Sequence, residues 1–266
     1  SGGTGFVSGV VTKGPLGNAN VTAYSISGGQ MGATIGSTMT DTNGNFSMGI
    51  GSYAGPVMLQ VSGGSYKDEA TGTTMSMAQG DVMTAIMPTV AANSNTAGIQ
   101  VTPVTGMAQT LAQSMTGGMT DANIASANAA MGSYFSVSDV LRVAPMNPLV
   151  PGSGTGASQD ARNYGMTLAA MSQYAKNLNM AGSSAMVTAL LSDASDGMMD
   201  GKKGSAPVSM SMGGMMGTSA MASNAGTSGL ASAMTTFANS AGNMSGVTAT
   251  DMSGLTQKLN TSNGRF

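Results

Sequence analysis

The chain contains no histidine, no cysteine and no tryptophan. Without histidine there is no imidazole base, no Ser-His-Asp triad and no ordinary zinc site. Without cysteine there is no disulfide, no thiolate nucleophile and no thiolate metal centre. Charge is scarce as well: Asp, Glu, Lys and Arg make up 8% of the residues, against roughly a quarter in ordinary globular domains. The nine Lys and Arg are scattered and the net charge is −2, so no basic stripe exists to neutralise phosphates and nucleic acid is a poor partner. No apolar run approaches the roughly 20 residues of a membrane-spanning helix. Glu69 is the only glutamate, so a carboxylate pair has to be Asp–Asp or the adjacent Asp68–Glu69. Adjacent residues on a strand face opposite ways and cannot flank one bond. These shortages together point away from an enzyme and call for no cofactor.

What is present is hydrophobic mass and small polar residues. A hydrophobic fraction of 41% over 266 residues allows one large or two ordinary domains and argues against wholesale disorder, despite 40 glycines. So few charges leave a surface of Ser, Thr, Asn and Gly, or one buried against other copies. The opening Ser-Gly-Gly-Thr-Gly lacks an initiator Met, which predicts a processed N-terminus, a cleaved signal peptide and an extracellular or cell-surface location.

The first hundred residues read as strands. Short β-rich runs at 6–11, 20–26, 34–40, 46–48 and 56–61 are punctuated by Gly14-Pro15-Leu16-Gly17-Asn18 and by Asp41-Thr42-Asn43-Gly44-Asn45, a hairpin signal. From about Val101 the period changes. Met107, Leu111 and Met115 recur at helical spacing, 121–135 reads as a helix capped by Thr120 or Asp121, and Tyr164, Leu168, Met171, Ala175 and Leu178 share one face of a helix over 158–180. Residues 184–191 continue helically, 201–217 read as irregular, 219–239 as an Ala-rich helix and 250–259 as a short last one. The fold class is therefore α+β: an antiparallel β-sandwich over 1–98 and a mainly helical region over 99–266.

Two stretches carry a family resemblance. Val10-Val11-Thr12-Lys13-Gly14-Pro15-Leu16-Gly17-Asn18-Ala19-Asn20-Val21-Thr22-Ala23-Tyr24 and Thr40-Asp41-Thr42-Asn43-Gly44-Asn45-Phe46-Ser47 resemble the two signatures of carboxypeptidase-regulatory-like (transthyretin-like) β-sandwich domains. Val61-Ser62-Gly63-Gly64-Ser65-Tyr66-Lys67-Asp68-Glu69-Ala70-Thr71-Gly72 and Val101-Thr102-Pro103-Val104-Thr105 resemble bacterial surface lipoproteins that join such a sandwich to a helical region. The resemblance implies export and a sandwich with Phe46 in its core, and it supplies no catalytic residues. Members of the sandwich family serve as folding appendages, adhesion modules or spacers. An acidic residue is expected after the Thr-Pro element, where this chain has Gly106.

Three groups of residues are candidate sites. Asp193, Asp196 and Asp200 place oxygen ligands around a Gly-containing loop, as calcium requires. Their spacing is not that of an EF-hand and Lys202-Lys203 adds positive charge nearby, so they read rather as a helix-ending turn with Asp and Gly in turn roles. Met210, Met212, Met215 and Met216 form a thioether-rich run suited to Cu(I). The 27 methionines are spread through helix and strand positions, which reads as core packing. Asp68-Glu69 reads as a solvated turn. Phe6, Val7, Val10 and Val11 lie on a first strand close to the N-terminus, one able to leave its sandwich and add to a neighbour's with these four as the buried donor residues. The function expected is a non-catalytic extracellular structural protein, a filament or surface-layer subunit whose partners are other copies of itself. The alternatives are a monomeric surface or adhesin module holding glycans or other surface proteins, and a Met-rich copper-binding surface protein.

Overall fold

The computed structural model describes residues 4–266 as an eight-stranded N-terminal part and a helical part packed against it. Strand β1 (Gly5–Val11) lies between β4 (Asn45–Gly51), antiparallel to it, and β8 (Asn95–Val101), parallel to it. The second sheet runs β3 (Gln30–Met39), β2 (Gly17–Ser27), β5 (Gly55–Lys67), with β6 (Thr74–Ser76) and β7 (Val82–Val90) both pairing β5. Its pairings are all antiparallel, so the β1–β8 contact makes the smaller sheet mixed where an antiparallel one is expected. β8 also runs through the boundary expected at 98/99 and ends at Val101.

Alternation drives the sandwich. Val7 and Val11 of β1, Val21 and Ala23 of β2, Phe46, Met48 and Ile50 of β4 and Val57, Leu59 and Val61 of β5 turn into one core, as period-2 patterning requires. The turn before β4 is built by Asp41, whose carboxylate accepts the N–H groups of Asn43 and Asn45 at 2.8 and 2.9 Å. Gly44 follows at φ +83°, where a Cβ would lie 2.5 Å from the Val11 carbonyl oxygen, so only glycine fits.

Helix α1 (Pro103–Ser114) begins at a capping box. Thr102 Oγ1 accepts from the Val104 and Thr105 N–H groups, and Thr105 Oγ1 accepts from Thr102 N–H. Helices α2 (Asp121–Phe135), α3 (Gln159–Asn177) and α4 (Ser183–Ala194) follow, with α3 at the centre of the bundle. Tyr164, Leu168, Met171 and Ala175 are buried on it at the spacing read from the sequence. Beyond α4 come two small hairpins, β9 (Lys202–Lys203) with β10 (Ala206–Pro207) and β11 (Ser209–Ser211) with β12 (Thr218–Ala220). The helix expected over 219–239 is shorter. A π-type turn at Ala225–Gly229, with Thr227 out of helical geometry, precedes α5 (Leu230–Ala238); α6 (Ser253–Thr261) closes the chain.

The helical core reaches across the joint. Ile26, Met58 and Ile86, on the outer face of the larger sheet, belong to it, while Leu141 from the loop after α2 enters the sandwich core. Side chains of the helices also close the edge of β7. Thr105 Oγ1 donates to the Thr84 carbonyl at 2.8 Å, Asn128 Nδ2 to the Ile86 carbonyl at 3.0 Å, and Asp121 accepts the Thr89 N–H at 2.9 Å. An edge satisfied in this way is not free to recruit another strand. Gly106 faces this joint, where a Cβ would come within 2.8 Å of a Leu191 methyl. Its smallness lets α1 and α4 approach.

Candidate functional site

The most unusual chemistry in the molecule sits where the β1–β2 turn, the end of β5 and helix α3 meet. Lys13 follows β1 in a tight turn closed by a Thr12–Pro15 bridge, and its side chain is fully buried. Its ammonium lies 3.2 and 3.3 Å from the two Glu69 carboxylate oxygens and donates to the Leu168 carbonyl at 3.2 Å and to Ser172 Oγ. Ser172 Oγ donates in turn to Glu69 Oε1 at 3.2 Å. The Tyr66 ring packs 5.8 Å from Lys13 Nζ, within cation–π range. Among the described residues this is the one ion pair, and both partners are buried.

The neighbouring acid is buried too. Asp68 Oδ2 accepts the Ala70 and Thr71 N–H groups at 3.1 and 2.9 Å and the Thr71 hydroxyl at 3.1 Å, while Oδ1 is enclosed without a hydrogen-bond partner. Tyr66 and Ser183 share a 2.6 Å hydroxyl–hydroxyl bond beside it. Burial works to raise the Asp68 pKa, but the Lys13 charge and the hydroxyl and amide donors around it outweigh that and hold it below the usual range. For Glu69 the balance goes the other way: full burial pushes its carboxyl up, against the pull of Lys13, with the Asp68 charge adding to the rise. Burial likewise pushes Tyr66 up to about 12. The expectation of a solvated Asp68-Glu69 turn is therefore overturned. The turn itself is present, with Gly72 N–H donating to the Asp68 carbonyl, but α3 and α4 close over it and Lys13 supplies the countercharge.

One side of this cluster is open to a cleft. A cavity of about 220 Å³ is lined by Asp68, Ser172, Lys176 and Ser183, and shares Met75, Ala181 and Gly182 with a larger one of about 400 Å³. The larger one is bounded by Gln79, Asp81, Ser184, Thr188, Ser209 and Ser211. The walls mix neutral hydrogen-bonding groups with apolar surface from Met75, Ala175, Met180 and Ala181, and carry the charges of Asp68, Lys176 and Asp81.

The residues singled out from the sequence go to different places. Asp193 is buried and Oδ1 accepts the Asp200 and Gly201 N–H groups at 3.1 and 2.9 Å, while Oδ2 is buried without a partner. Asp196 accepts from Met198 and Gly204, and Asp200 from Lys202. Each carboxylate serves its own loop, and no group of three or more His, Cys, Asp or Glu among the described residues could hold a metal ion. Burial, with the charges of Asp200 and Asp196 adding to it, raises Asp193 to about 7 against the two amide bonds. Met210 is buried in the helical core and Met212 packs against that core, whereas Met215 and Met216 are exposed. The four thioethers do not share one environment. On β1, Val7 and Val11 are buried in the sandwich core, Val10 is half-buried, and Phe6 turns outward at 44% exposure. Phe6 is thus a surface residue of its own sandwich, because it occupies the other phase of the strand's alternation.

No family model and no curated protein matches the chain. Among solved structures, a 9R-lipoxygenase from Cyanothece PCC8801 shares 16% identity with it at a TM-score of 0.25, over 37% of this chain and 16% of the lipoxygenase chain. A likeness of that size carries no argument about fold or activity.

Sequence reading missed Ser172, Ser183 and Tyr66 as members of one cluster, and missed that Lys13 and Glu69 meet. The signal was partly there. Lys13 and Asp68-Glu69 each stand within a stretch that carries the family resemblance, and Glu69 is the chain's only glutamate. What pairs them is tertiary, across 56 positions.

Proposed function

We propose that this protein is a non-catalytic structural component of a cell surface, a subunit that assembles with copies of itself by exchanging its first strand. The observation that carries the reading is the position of β1. It is N-terminal in the fold, yet central in its sheet, paired on both sides by β4 and β8, and it supplies Val7 and Val11 to the core. A strand so placed can be delivered by a neighbour, filling the same slot with the same contacts, and a chain of such exchanges propagates head to tail. The low charge of the chain supports the reading, since little electrostatic repulsion opposes close packing of identical copies.

The cleft between the sandwich and the helices supports a second reading, a monomeric surface module that holds a neutral, hydrogen-bonding ligand such as a glycan. The Ser, Thr, Gln and Asn side chains among its walls, interleaved with apolar Met and Ala, match that chemistry.

Negative-stain imaging and sedimentation at neutral pH test the first reading. Fibres one subunit wide are expected. A chain lacking residues 1–11 should form none, and should bind a synthetic peptide of residues 4–12 that restores a soluble folded unit. Polymers formed without β1 would overturn strand exchange. A monomer at every concentration would overturn assembly and favour the ligand-holding module, for which a glycan array is then the assay.

A further inference from the structure

The Lys13–Glu69 pair is arranged for more than charge neutralisation. Amine and carboxyl, both buried, stand in contact at 3.2 and 3.3 Å, and a single hydroxyl touches both. Ser172 Oγ accepts from Lys13 Nζ and donates to Glu69 Oε1. We propose that Lys13 and Glu69 condense to an intramolecular amide, an isopeptide bond, with Ser172 passing the proton between them.

The step balances without any co-reactant. For two groups so buried, the ionic pair and its neutral tautomer, amine beside carboxylic acid, are brought closer in energy than in water, because both charges lose solvation together. The neutral Nζ attacks Glu69 Cδ and the Nζ–Cδ bond forms. Ser172 takes a proton from Nζ as it gives its own to Oε1, the Cδ–Oε1 bond breaks, and Oε1 leaves as water. Two of the three ammonium protons leave in that water and the third stays on the amide nitrogen, where the Leu168 carbonyl, already 3.2 Å from Nζ, accepts it. Fixing the two groups in one cavity removes the entropic cost of bringing them together. Ser172 also lines the smaller cleft, which gives the released water a way out. Asp68, buried beside the pair with Oδ1 unpartnered, adds negative charge that steadies positive charge developing on the attacking nitrogen. The product ties the β1–β2 turn to the end of β5 in a chain that has no cysteine for a disulfide. This inference does not depend on self-assembly.

Mass spectrometry of the folded, purified chain decides it. The expected intact mass is one water below that of the sequence. Trypsin should fail to cut after Lys13, and the peptide of residues 1–67 should be found joined to that of residues 68–142. Lys13→Met and Glu69→Ala should each restore the full mass, and Ser172→Ala should leave most of the chain unreacted early after folding. Wild-type protein at full sequence mass, cut by trypsin after Lys13 once denatured, would reduce the site to an ion pair only. A water deficit that persists in Lys13→Met would place the loss elsewhere and also overturn the proposal. The wild-type mass suffices even if a variant does not fold.

Discussion

The sandwich and the helical part bury their apolar surface by different means. In the sandwich, Val, Ile, Leu, Ala and Phe from two facing sheets interlock, and methionine is a minority at Met48, Met77, Met83 and Met87. In the helical part methionine is a main filler: Met107, Met131, Met166, Met171, Met186 and Met234 are all fully buried on its helices. A thioether chain with three rotatable bonds adapts to the gaps between helices, whereas a β-branched or aromatic residue in a sandwich has one shape to offer. The difference predicts that the sandwich resists substitution and the helical part tolerates it.

The sharpest way to break that comparison is a matched pair of core changes. Phe46→Ala, at the centre of the sandwich, should cost about 3–5 kcal/mol in denaturant unfolding, from lost burial and the cavity left behind. Met171→Leu, equally buried on α3, should cost less than about 1.5 kcal/mol, because volume is conserved and neighbouring methionines can re-pack. Similar costs at both positions would mean that the helical core is as closely fitted as the sandwich.

The two buried acids extend the contrast to charge. Glu69 has a lysine within hydrogen-bond reach; Asp193 has only backbone amides, and one of its oxygens has nothing. Asp193 is held at about 7 against an ordinary value of 3.8, so the folded protein keeps this proton where the unfolded chain has lost it. A group raised in this way makes the folded state progressively less stable as pH rises from about 4 to about 7, with no further loss above that. Asp193→Asn keeps the shape and the amide-accepting oxygen but carries no charge. It should be nearly neutral at pH 4 and stabilising by about 1–2 kcal/mol at pH 8, read as the difference between unfolding midpoints at the two values. An equal effect at both would show that the Asp193 charge is not what burial penalises.

Local chemistry was legible and long-range pairing was not. The Asp41–Asn45 turn, the Thr102 cap and the buried face of α3 follow from residues a few positions apart, and each stands where the pattern puts it. Strands β7 and β8 escaped. Residues 82–90 lie between two cores, with Met83, Ala85 and Met87 facing the sandwich and Ile86 the helices. A strand buried on both faces loses the alternation that marks a half-exposed one. The parallel pairing of β1 with β8 joins residues some ninety positions apart, and no local signal records it. Asp68-Glu69 misled for the same reason: two adjacent acids read as solvated until the lysine that neutralises them is placed beside them.

Phe6 allows the smallest and most selective change. Its ring lies on the outer face of β1, where it comes near Gly49 on β4, and 44% of its surface is exposed. Phe6→Ser should change fold stability by no more than about 0.5 kcal/mol, as surface substitutions away from special backbone geometry do. Val7→Ser, one position along, puts a hydroxyl into the sandwich core and should destabilise by about 2–4 kcal/mol. Strand exchange preserves the environment of both residues, since the incoming β1 occupies the slot of the outgoing one. If exchange alone drives assembly, both variants therefore leave the balance between closed and exchanged copies unchanged, and Val7→Ser lowers only the stability of the folded unit. If polymerisation instead fails in Phe6→Ser with unfolding unchanged, the outer face of the smaller sheet is itself the contact between copies. The two variants, read by sedimentation alongside denaturant unfolding, thus separate a strand exchanged through the core from a surface packed against a neighbour.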